Sequence, residues 1–417
     1  MEGGSGLEKM GTMGQKREFD REENREQLRR RSRTLVKEEL SVESIFVAFV
    51  FFIVLSQFLL TGRLEFISQP FRPLIVIILA VQVVRRGRLK LTVCNIALIM
   101  AIYQITVWFF LSPYPDGGML RSYLILVFYF LMLFSVSGFP WNRRELQLII
   151  YAAFLATFVC AVVFFLSNNM LDFSNHTFRF LGVKVNRNKN AYAFAIGLVL
   201  GRTYLAFGKG KNRIIIGLMM FFEGYCLIYS QCRGAFLGVF FTVCIAALFR
   251  IIKMWRRGNP YLIFYVIFLI IAFAAGYFLI KNSMVSRLVD NKNMSGRDEG
   301  IQHALDLFRQ APLLGKIFGN GIMYESNHTV GIGVHFVYLT YLLESGIVGT
   351  TLIILIFVTA VKNIRGEIQW TLFALALSRT FFEGMDYYIF IPLILSICIS
   401  NYERLYGRPS QELFYNR

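Results

Sequence analysis

The chain has 417 residues, of which 56% are hydrophobic and 42 are phenylalanine, and its formal net charge is +18. This composition lies far outside that of ordinary soluble domains and argues against a soluble enzyme with a single membrane anchor. Apolar stretches recur along almost the whole length, and many approach the roughly 20 residues that a helix needs to cross a bilayer. We therefore predict an all-α polytopic integral membrane protein.

The positive charge is explained by membrane topology rather than by nucleic-acid binding, since cytoplasmic loops of membrane proteins carry Lys and Arg. Residues 1–40 are densely charged with both signs, and without an apolar core they do not read as a cleavable signal peptide. They are predicted to form a solvated cytoplasmic tail. The weaker alternative is that they bind anionic headgroups through Arg29, Arg30, Arg31 and Arg33. The six cysteines show no CxxC spacing, so we expect neither disulfides nor a metal site.

Hydropathy divides the rest of the chain into about twelve apolar segments. The predicted order is helices one to nine over 41–280, a large external loop with an amphipathic helix over 281–335, helices ten to twelve over 336–402, and a cytoplasmic tail over 403–417. The segments are roughly 43–61, 71–84, 91–112, 122–138, 147–167, 191–208, 214–230, 234–252, 261–280, 336–361, 369–382 and 387–402.

Charge between the segments predicts the orientation of the chain. With the N-terminus inside, the inner loops are all net basic and both termini are cytoplasmic. The external loops 168–190 and 281–335 contain Lys and Arg, although the rule places such residues in cytoplasmic loops, and Arg233 is a further exception. All these cations are predicted to lie on the external face of the membrane. The basic inner loops are 85–90, 140–146, 208–213, 253–258 and 362–367.

The stretch YSQCRGAFLGVFFT places Arg233 between two apolar segments, where insertion of arginine costs roughly 2.5–3.5 kcal/mol. A snorkelling side chain at a helix end is one explanation. The other rests on Ser230, Gly234, Ala235 and Gly238, whose small side chains permit close helix packing and leave room for a ligand. External guanidinium groups at headgroup depth suit a polyanionic ligand embedded in lipid, because they bind phosphate in bidentate fashion.

The long loop contains a second candidate cation on a predicted helix. Ser295 is a candidate N-cap for an amphipathic helix that carries Arg297 and runs to about Leu307. Pro312 and Gly315 are expected to end this helix, and Gly319 and Gly321 are expected to form a loop. A surface helix with Arg297 on its solvated side is the structural alternative to a ligand clamp.

His335 stands where the long loop enters segment ten, ahead of Tyr338 and Glu344. A polar interface residue is the ordinary explanation of a lone histidine at this place. Neutral imidazole is also the natural acceptor for the proton of a sugar hydroxyl. Glu344 is nine residues further on, so it is expected to face away from His335 on the helix.

The motifs occur in a defined order: an SxxRGA turn at Ser230, a long external loop rich in glycine, and the pattern HxxYL…ExGIxG from His335. The stretch RFLGVKVNRNKNAYAFA over 179–195 fits the same series. Together they resemble the O-antigen ligase and polymerase superfamily of bacterial surface-polysaccharide enzymes. The resemblance covers about 170–350 by motif and the whole chain by hydropathy.

The resemblance implies a GT-C-like fold of about twelve transmembrane helices with a large external loop between helices nine and ten. It also implies that Arg233, Arg297 and His335 are the catalytic residues. The family often has Asn after the histidine, whereas this chain has Phe336, and His328 is an alternative for the histidine. The residues expected to bind substrate are Arg179, Lys184, Asn190, Tyr338 and Glu344.

The donors of this superfamily are glycans on undecaprenyl pyrophosphate in the outer leaflet of the bacterial inner membrane. The arginines would stabilise the departing pyrophosphate, so neither a metal nor a nucleotide cofactor is expected. The expected partners are this donor, a glycan acceptor and the bilayer, with a flippase and a chain-length regulator as further candidates.

The first functional prediction is a polymerase of lipid-linked repeat units for O-antigen, capsule or exopolysaccharide. A ligase acting on another acceptor is the nearest alternative, and a transporter or flippase is the alternative of another class.

Two further polar groups have open alternatives. Arg379, Glu383 and Asp386 are read as a structural pairing by default, with Arg379 and Glu383 at i, i+4 spacing, and an acceptor-sugar role is the alternative. Glu223, inside segment seven, is either a buried pair partner or a site residue.

Overall fold

The computed structural model describes residues 40–56, 76–77, 79–81, 92–111, 117–168, 179–180, 183–184, 187–207, 212–282, 297–321, 337–381 and 387–406. Val42–Arg417 forms one compact unit. Met1–Ser41 is a separate unit, of which residues 40 and 41 are described.

The described residues are almost entirely helical, and a pair of two-residue strands is the exception. The helices before this pair are α1 Val42–Ser56, α2 Val93–Leu111, α3 Gly117–Gly138 and α4 Arg143–Ser167. Strands β1 Arg179–Phe180 and β2 Val183–Lys184 pair antiparallel. The remaining helices are α5 Arg187–Phe207, α6 Arg213–Ser230, α7 Arg233–Arg256, α8 Leu262–Asn282, α9 Arg297–Gln310, α10 Leu313–Phe318, α11 Val337–Glu344, α12 Gly346–Asn363, α13 Glu367–Thr380 and α14 Tyr387–Tyr406.

Six of these helices are long and apolar enough to cross a bilayer, as judged by length and composition: α2, α4, α6, α7, α12 and α14. Shorter apolar helices are α1, the second half of α3 and the first part of α8. This is the architecture of an all-α membrane protein, as the composition predicts. Of the predicted segment 71–84, residues 76–77 and 79–81 are described and are helical. The number of twelve spans therefore stays a prediction.

Polar contacts show how neighbouring helices run. At the start of α4, Arg143 Nη2 and Gln147 Nε2 donate to the carbonyl of Phe207 at the end of α5, at 2.8 and 2.6 Å. Arg202, one turn before that end, forms an ion pair with Glu367 at the start of α13. Helix α5 is therefore antiparallel to both α4 and α13.

Other helix ends that carry Arg or Lys lie at the same end of the bundle. Arg404 in α14 donates to Asn363 at the end of α12 at 2.6 Å, and Asn401 donates to the carbonyl of Ser137 at the end of α3 at 2.8 Å. We call this the basic end. The predicted inner loops 140–146 and 362–367 lie at this end. The helix termini gathered here carry Arg143, Arg144, Arg202, Arg213, Lys362, Arg365 and Arg404.

Two predictions about the chain near residue 340 were wrong in detail. The predicted segment 336–361 is broken at Ser345 into α11 and α12, because Gly346 adopts a positive φ of 64°. Helix α9 ends at Gln310, ahead of Pro312, but the next residues form the short helix α10, which was not predicted, with Pro312 at its N-cap in an extended conformation. Proline is well suited to this position, since the first amide groups of a helix have no partner within it.

Much of the buried core lies around α14. Ile389, Ile391, Ile394 and Leu395 of α14 are fully buried, although the helix is apolar enough to face lipid. Helix α8 is the opposite case, since Phe264 and most of its apolar neighbours are exposed. Side chains that are hydrophobic all round a helix are typical of membrane-embedded segments.

Candidate functional site

The bundle end opposite to the basic end brings together the helix termini that carry three of the predicted site residues, Asn190, Arg233 and Tyr338. These termini are the starts of α5, α7 and α11 and the ends of α6 and α13. We call this the distal end. Two contacts between antiparallel helices fix which residues meet there.

The first contact joins α5 and α6. Gly197 faces the Glu223 carboxyl so closely that a Cβ could not be accommodated, and Gly201 similarly faces Met220. Asn190 lies seven residues before Gly197, and Ser230 lies seven residues after Glu223. Because the helices rise about 1.5 Å per residue in opposite directions, Asn190 and Ser230 lie at the same level. The predicted substrate-binding Asn190 is thereby placed beside the turn that leads to the predicted catalytic arginine.

Asn190 is a buried amide with an unused donor. Its side chain is 4% exposed, and Nδ2 forms no hydrogen bond. An unsatisfied buried amide costs about 1–3 kcal/mol, and such groups are frequent at functional sites. The amide is therefore available to a ligand acceptor at this level of the bundle.

The turn between α6 and α7 is as tight as the sequence predicts. Ser230 Oγ donates to the Leu227 carbonyl at 2.6 Å, and the chain reverses through Gln231 and Cys232. Gln231 has a φ of 50°, the single positive value at a non-glycine residue in the described ranges. Left-handed backbone of this kind costs about 1–3 kcal/mol and marks functional sites. Arg233 follows as the first residue of α7, and its side chain lies outside the described part of the structure.

The second contact joins α7 and α13. A Cβ on Gly238 would meet Ser378 Oγ at 2.9 Å and Leu375 Cδ1 at 3.1 Å. This is the close helix approach that the small residues around Arg233 predict. Since Arg233 lies five residues before Gly238, it starts α7 about 7.5 Å beyond this contact, on the side where α13 ends.

Arg379 occupies the end of α13 and is 1% exposed. Its Cζ lies 3.9 Å from the ring centroid of Tyr192, one turn into α5. A guanidinium above an aromatic ring at this distance is a cation–π contact, worth about 2 kcal/mol when desolvated. The predicted partners Glu383 and Asp386 lie outside the described residues, so the structural pairing stays a prediction.

Tyr338 joins the same cluster from α11. Its hydroxyl accepts a hydrogen bond from Thr380 Oγ1 at 3.3 Å, and its ring lies 5.9 Å from that of Phe381. Tyr338, which is predicted to bind substrate, thus contacts Thr380, the residue that follows Arg379 in α13. The hydroxyl of Tyr338 and the buried guanidinium lie at one level of the bundle.

Glu344 lies six residues beyond Tyr338, about 9 Å along α11, at the break before α12. Its carbonyl accepts from the amide of Gly321 at 3.2 Å, and the Leu343 carbonyl accepts from Asn320 at 3.0 Å. These bonds satisfy the carbonyls that a helix end leaves without partners. The structure places Glu344 at this anchor rather than beside Tyr338.

Two residues of α2 that the sequence analysis did not select hold the break in place. Tyr103 Oη lies 2.8 Å from the Phe318 carbonyl and 2.9 Å from the Ser345 carbonyl. Gln104 Nε2 donates to Ser345 Oγ at 2.8 Å. Both are polar residues inside an apolar segment, and that is the one signal in the sequence that marks them.

The predicted external loop contributes α9, which packs against α11. Ala304 is fully buried and contacts Leu343, with Phe308 beside them. Arg297 is the first residue of α9, one residue later than the start that an N-cap at Ser295 predicts. Its side chain lies outside the described part.

For Arg179 and Lys184 the structure describes the backbone alone. Arg179 and Lys184 oppose each other in the backbone register of β1 and β2. Their side chains lie outside the described part, and so does the whole of His335. Their predicted roles stay predictions.

Glu223 belongs to a different level of the bundle. It is fully buried, and Thr157 Oγ1 donates to its Oε1 at 2.8 Å, whereas Oε2 forms no hydrogen bond. Its position seven residues before Ser230 puts it about 10 Å below the distal end. Of the two alternatives, the described contacts favour a buried hydrogen-bonded group, with a hydroxyl as its partner.

The distal end is basic and has no nearby carboxylate among the described residues. The segments 187–193, 227–236, 337–340 and 377–381 contain no Asp or Glu, but carry Arg187, Lys189, Arg233 and Arg379. The unused Asn190 amide and the positive charge of these segments favour an anion, and phosphate oxygens are the acceptors that guanidinium groups bind best.

A comparison with known protein families matches the part of the chain that contains the α6–α7 turn. A family model described as O-antigen ligase matches residues 215–354, from α6 into the first half of α12. A search of curated proteins found no match. The matched segment contains the positions of Arg233, Arg297 and His335, whereas the predicted motif at 179–195 precedes it. Over residues 215–354 this membrane protein is similar to the O-antigen ligase family, which confirms the predicted resemblance to the O-antigen ligase and polymerase superfamily.

Proposed function

We propose that the chain is a glycosyltransferase of the bacterial inner membrane that polymerises repeat units carried on undecaprenyl pyrophosphate. The observation that carries this proposal is the family match over 215–354, because it spans the turn, the loop and the helix entry that hold the predicted catalytic residues. The acceptor is the sugar hydroxyl of a second repeat unit.

The proposed reaction needs a cation site for the leaving group. The bond between the anomeric carbon and the pyrophosphate oxygen breaks, and its electron pair leaves with the lipid pyrophosphate. Arg233 and Arg297 bind this developing charge, and Arg179 and Lys184 add to the positive potential. Electrostatic stabilisation of this kind is strongest where water is excluded. The carboxylate-free segments of the distal end support this assignment.

His335 is the proposed general base. A new bond forms between the anomeric carbon and the acceptor oxygen, and the acceptor proton passes to the imidazole. A histidine near its ordinary pKa is suited to this transfer at neutral pH. Tyr338 and Asn190 are proposed to bind sugar or phosphate oxygens beside the reacting groups.

The orientation of the bundle follows from its charge. The basic end carries the Lys and Arg of the predicted inner loops and is assigned to the cytoplasm. The distal end then faces the external leaflet, where a polyprenyl-linked donor presents its pyrophosphate. Both termini are assigned to the cytoplasm by the same rule.

Reconstitution tests the activity. The purified full-length protein in proteoliposomes is given lipid-linked repeat units and no other acceptor. A ladder of products of increasing length is expected for a polymerase. Absence of any product, with the donor intact and correctly presented, contradicts the proposal.

A ligase is the second candidate, and the description of the matching family as O-antigen ligase favours it. Ligase and polymerase share donor chemistry and differ in their acceptor. Adding lipid A core to the same proteoliposomes distinguishes them. A single glycan transfer to this acceptor without a ladder identifies a ligase, and movement of the donor without bond formation identifies a transporter.

A further inference from the structure

Helix α10, inside the predicted external loop, has an exposed apolar surface. Leu313 and Leu314 are 72% and 67% exposed, and Phe318 is 42% exposed. The neighbouring α9 differs, because its exposed described side chains are polar and include the surface ion pair of Asp306 and Arg309. Adjacent exposed apolar side chains mark an interaction surface, whereas single ones are ordinary.

The depth of α10 in the bundle follows from its contact with α12. Gly346, the first residue of α12, packs so closely against main-chain atoms of Ile317 and Gly319 that a Cβ could not be accommodated. Asn363, the last residue of α12, lies at the basic end, where Arg404 donates to it. Since α12 has 18 residues and rises about 1.5 Å per residue, Gly346 lies about 26 Å from that end. The basic residues mark one boundary of a hydrocarbon layer about 30 Å thick, so the contact with α10 lies within this layer, in its distal half.

Helix α2 gives the same result independently. Cys94 lies at the basic end, because its Sγ is 3.2 Å from Ser137 Oγ at the end of α3. Tyr103 is nine residues further on, about 14 Å deeper in the bundle. Its Oη lies 2.8 Å from the Phe318 carbonyl oxygen. Two helices of transmembrane length thus place the end of α10 at membrane depth.

The end of α10 has the hydrogen bonds that hydrocarbon requires. In lipid, backbone polar groups need partners within the protein. The Phe318 carbonyl has the Tyr103 hydroxyl as its partner, and the Asn320 amide donates to the Leu343 carbonyl at 3.0 Å. The carboxyl end of α10 is therefore compatible with a lipid environment.

The apolar surface of α10 continues onto the membrane-spanning helices beside it. Ile347 follows Gly346 and is 51% exposed, and Ile102 precedes Tyr103 and is 56% exposed. Because α2 and α12 are long and apolar enough to cross a bilayer, these isoleucines face acyl chains. The charged residue of α10, Lys316, is half-buried, and a lysine side chain is long enough to place its amine among the headgroups.

We propose that α10 lies in the hydrocarbon of the leaflet at the distal end, where Leu313, Leu314 and Phe318 contact lipid acyl chains. The observations behind it are the contacts of α10 with Gly346 and Tyr103 at membrane depth and its exposed leucines. The predicted external loop 281–335 then re-enters the bilayer at α10 instead of being wholly aqueous. This inference goes beyond the proposed function and does not depend on glycosyl transfer.

Fluorescence quenching tests the assignment on the full-length protein in proteoliposomes. Single cysteines replace Leu313, Leu314, Gln302 or Ile347 in a cysteine-free background, and each is labelled with the fluorophore NBD. Lipids with brominated acyl chains quench from the hydrocarbon, and iodide on both sides of the membrane quenches from water. Leu313→Cys and Leu314→Cys are expected to show blue-shifted emission, strong quenching by brominated lipid and weak quenching by iodide.

Two positions provide matched controls. Gln302→Cys, on the exposed polar face of α9, is expected to be quenched by iodide and little by brominated lipid. Ile347→Cys, on α12, is the lipid reference and is expected to resemble the leucine positions. The ratio of lipid quenching to iodide quenching should be several-fold higher at 313 and 314 than at 302.

Two results overturn the proposal. Iodide quenching at the leucine positions equal to that at 302 would leave α10 in water. Protection of these positions from both quenchers would mean that protein, and not lipid, covers α10. The two leucine positions are read independently, so either one decides if the other variant does not fold.

A second measurement covers the case in which the cysteine-free protein does not fold. A diazirine amino acid is incorporated at position 314 of the otherwise unchanged chain and is photoactivated in proteoliposomes. A lipid adduct detected by mass spectrometry supports the assignment. A water adduct or a cross-link to protein refutes it.

Discussion

The guanidinium of Arg379 rests 3.9 Å from the ring centroid of Tyr192, so that the end of α13 is joined to the start of α5. The same two helices are joined at their other ends by the ion pair of Arg202 and Glu367. One pair of helices thus carries a buried cation at the distal end and a partly exposed one at the basic end. Substitution of the partly exposed Arg202 is therefore a control for substitutions of arginines at the distal end.

Removing either proposed clamp arginine is expected to abolish long polysaccharide. Arg233→Ala and Arg297→Ala each delete a group that stabilises the leaving diphosphate, and losses of about a hundredfold in turnover are typical for such groups. The measurement is the rate of product formation in proteoliposomes, with protein level checked by immunoblot. Arg202→Ala is the matched control and is expected to retain activity. Normal chain length in either clamp variant would argue against the arginine clamp.

Replacing His335 with Ala is expected to stop turnover while donor binding changes little. A general base acts on the acceptor proton in the transition state, so its loss lowers the rate without removing a contact to the diphosphate. Single-turnover kinetics and donor binding measured on the same preparation separate the two effects. His328→Ala is the control for a neighbouring histidine. A larger effect at His328 than at His335 would move the base to the former residue.

Gly346 is expected to tolerate no side chain. Its φ is 64°, and a Cβ would collide with main-chain atoms of Ile317 and Gly319. Gly258 has a φ of 60° and open space around it, so Gly258→Ala incurs the backbone strain alone, about 1–2 kcal/mol. Thermal unfolding in detergent should show a clearly lower midpoint for Gly346→Ala than for Gly258→Ala. Equal midpoints would mean that the α10–α12 anchor is not formed as described.

Gly197 and Glu223 are expected to be energetically coupled. Gly197→Ala places a methyl group against the Glu223 carboxyl and should destabilise the α5–α6 contact. Shortening the partner in Gly197→Ala combined with Glu223→Ala should recover part of the loss, with a coupling of about 0.5–3 kcal/mol. Gly217→Ala, which meets nothing within 4 Å, is the control. Additive effects on thermal stability would contradict the register that aligns Asn190 with Ser230.

The sequence predicts the helices well where hydropathy and charge change together. The starts of α4 and α6 coincide with Arg143 and Arg213, and the turn before α7 follows from the small residues around Arg233. These signals are local: a run of apolar side chains ends where Lys, Arg or Gly begins. Bounds read from them therefore lie close to those of the structure.

Gly346 and Gly349 indicate a close helix contact or a bend, but a full break at Ser345 was not predicted, because it depends on groups elsewhere in the chain. Tyr103 on α2 and Asn320 beyond α10 supply the donors for the exposed carbonyls. Tyr103 and Ser345 are 242 positions apart in the chain, and contacts between distant positions leave no local pattern. The same reason explains why the contact of Arg379 with Tyr192 was not foreseen.

The most direct test of the central claim is the accessibility of positions 233 and 297 from outside the cell. Single cysteines are introduced there in a cysteine-free background, with a cysteine at position 257 beyond α7 as the cytoplasmic reference, and intact cells are treated with a membrane-impermeant maleimide. The account predicts labelling at 233 and 297 and none at 257 until the cells are opened. Labelling of 257 alone in intact cells would place the arginines on the cytosolic side and contradict an external diphosphate site.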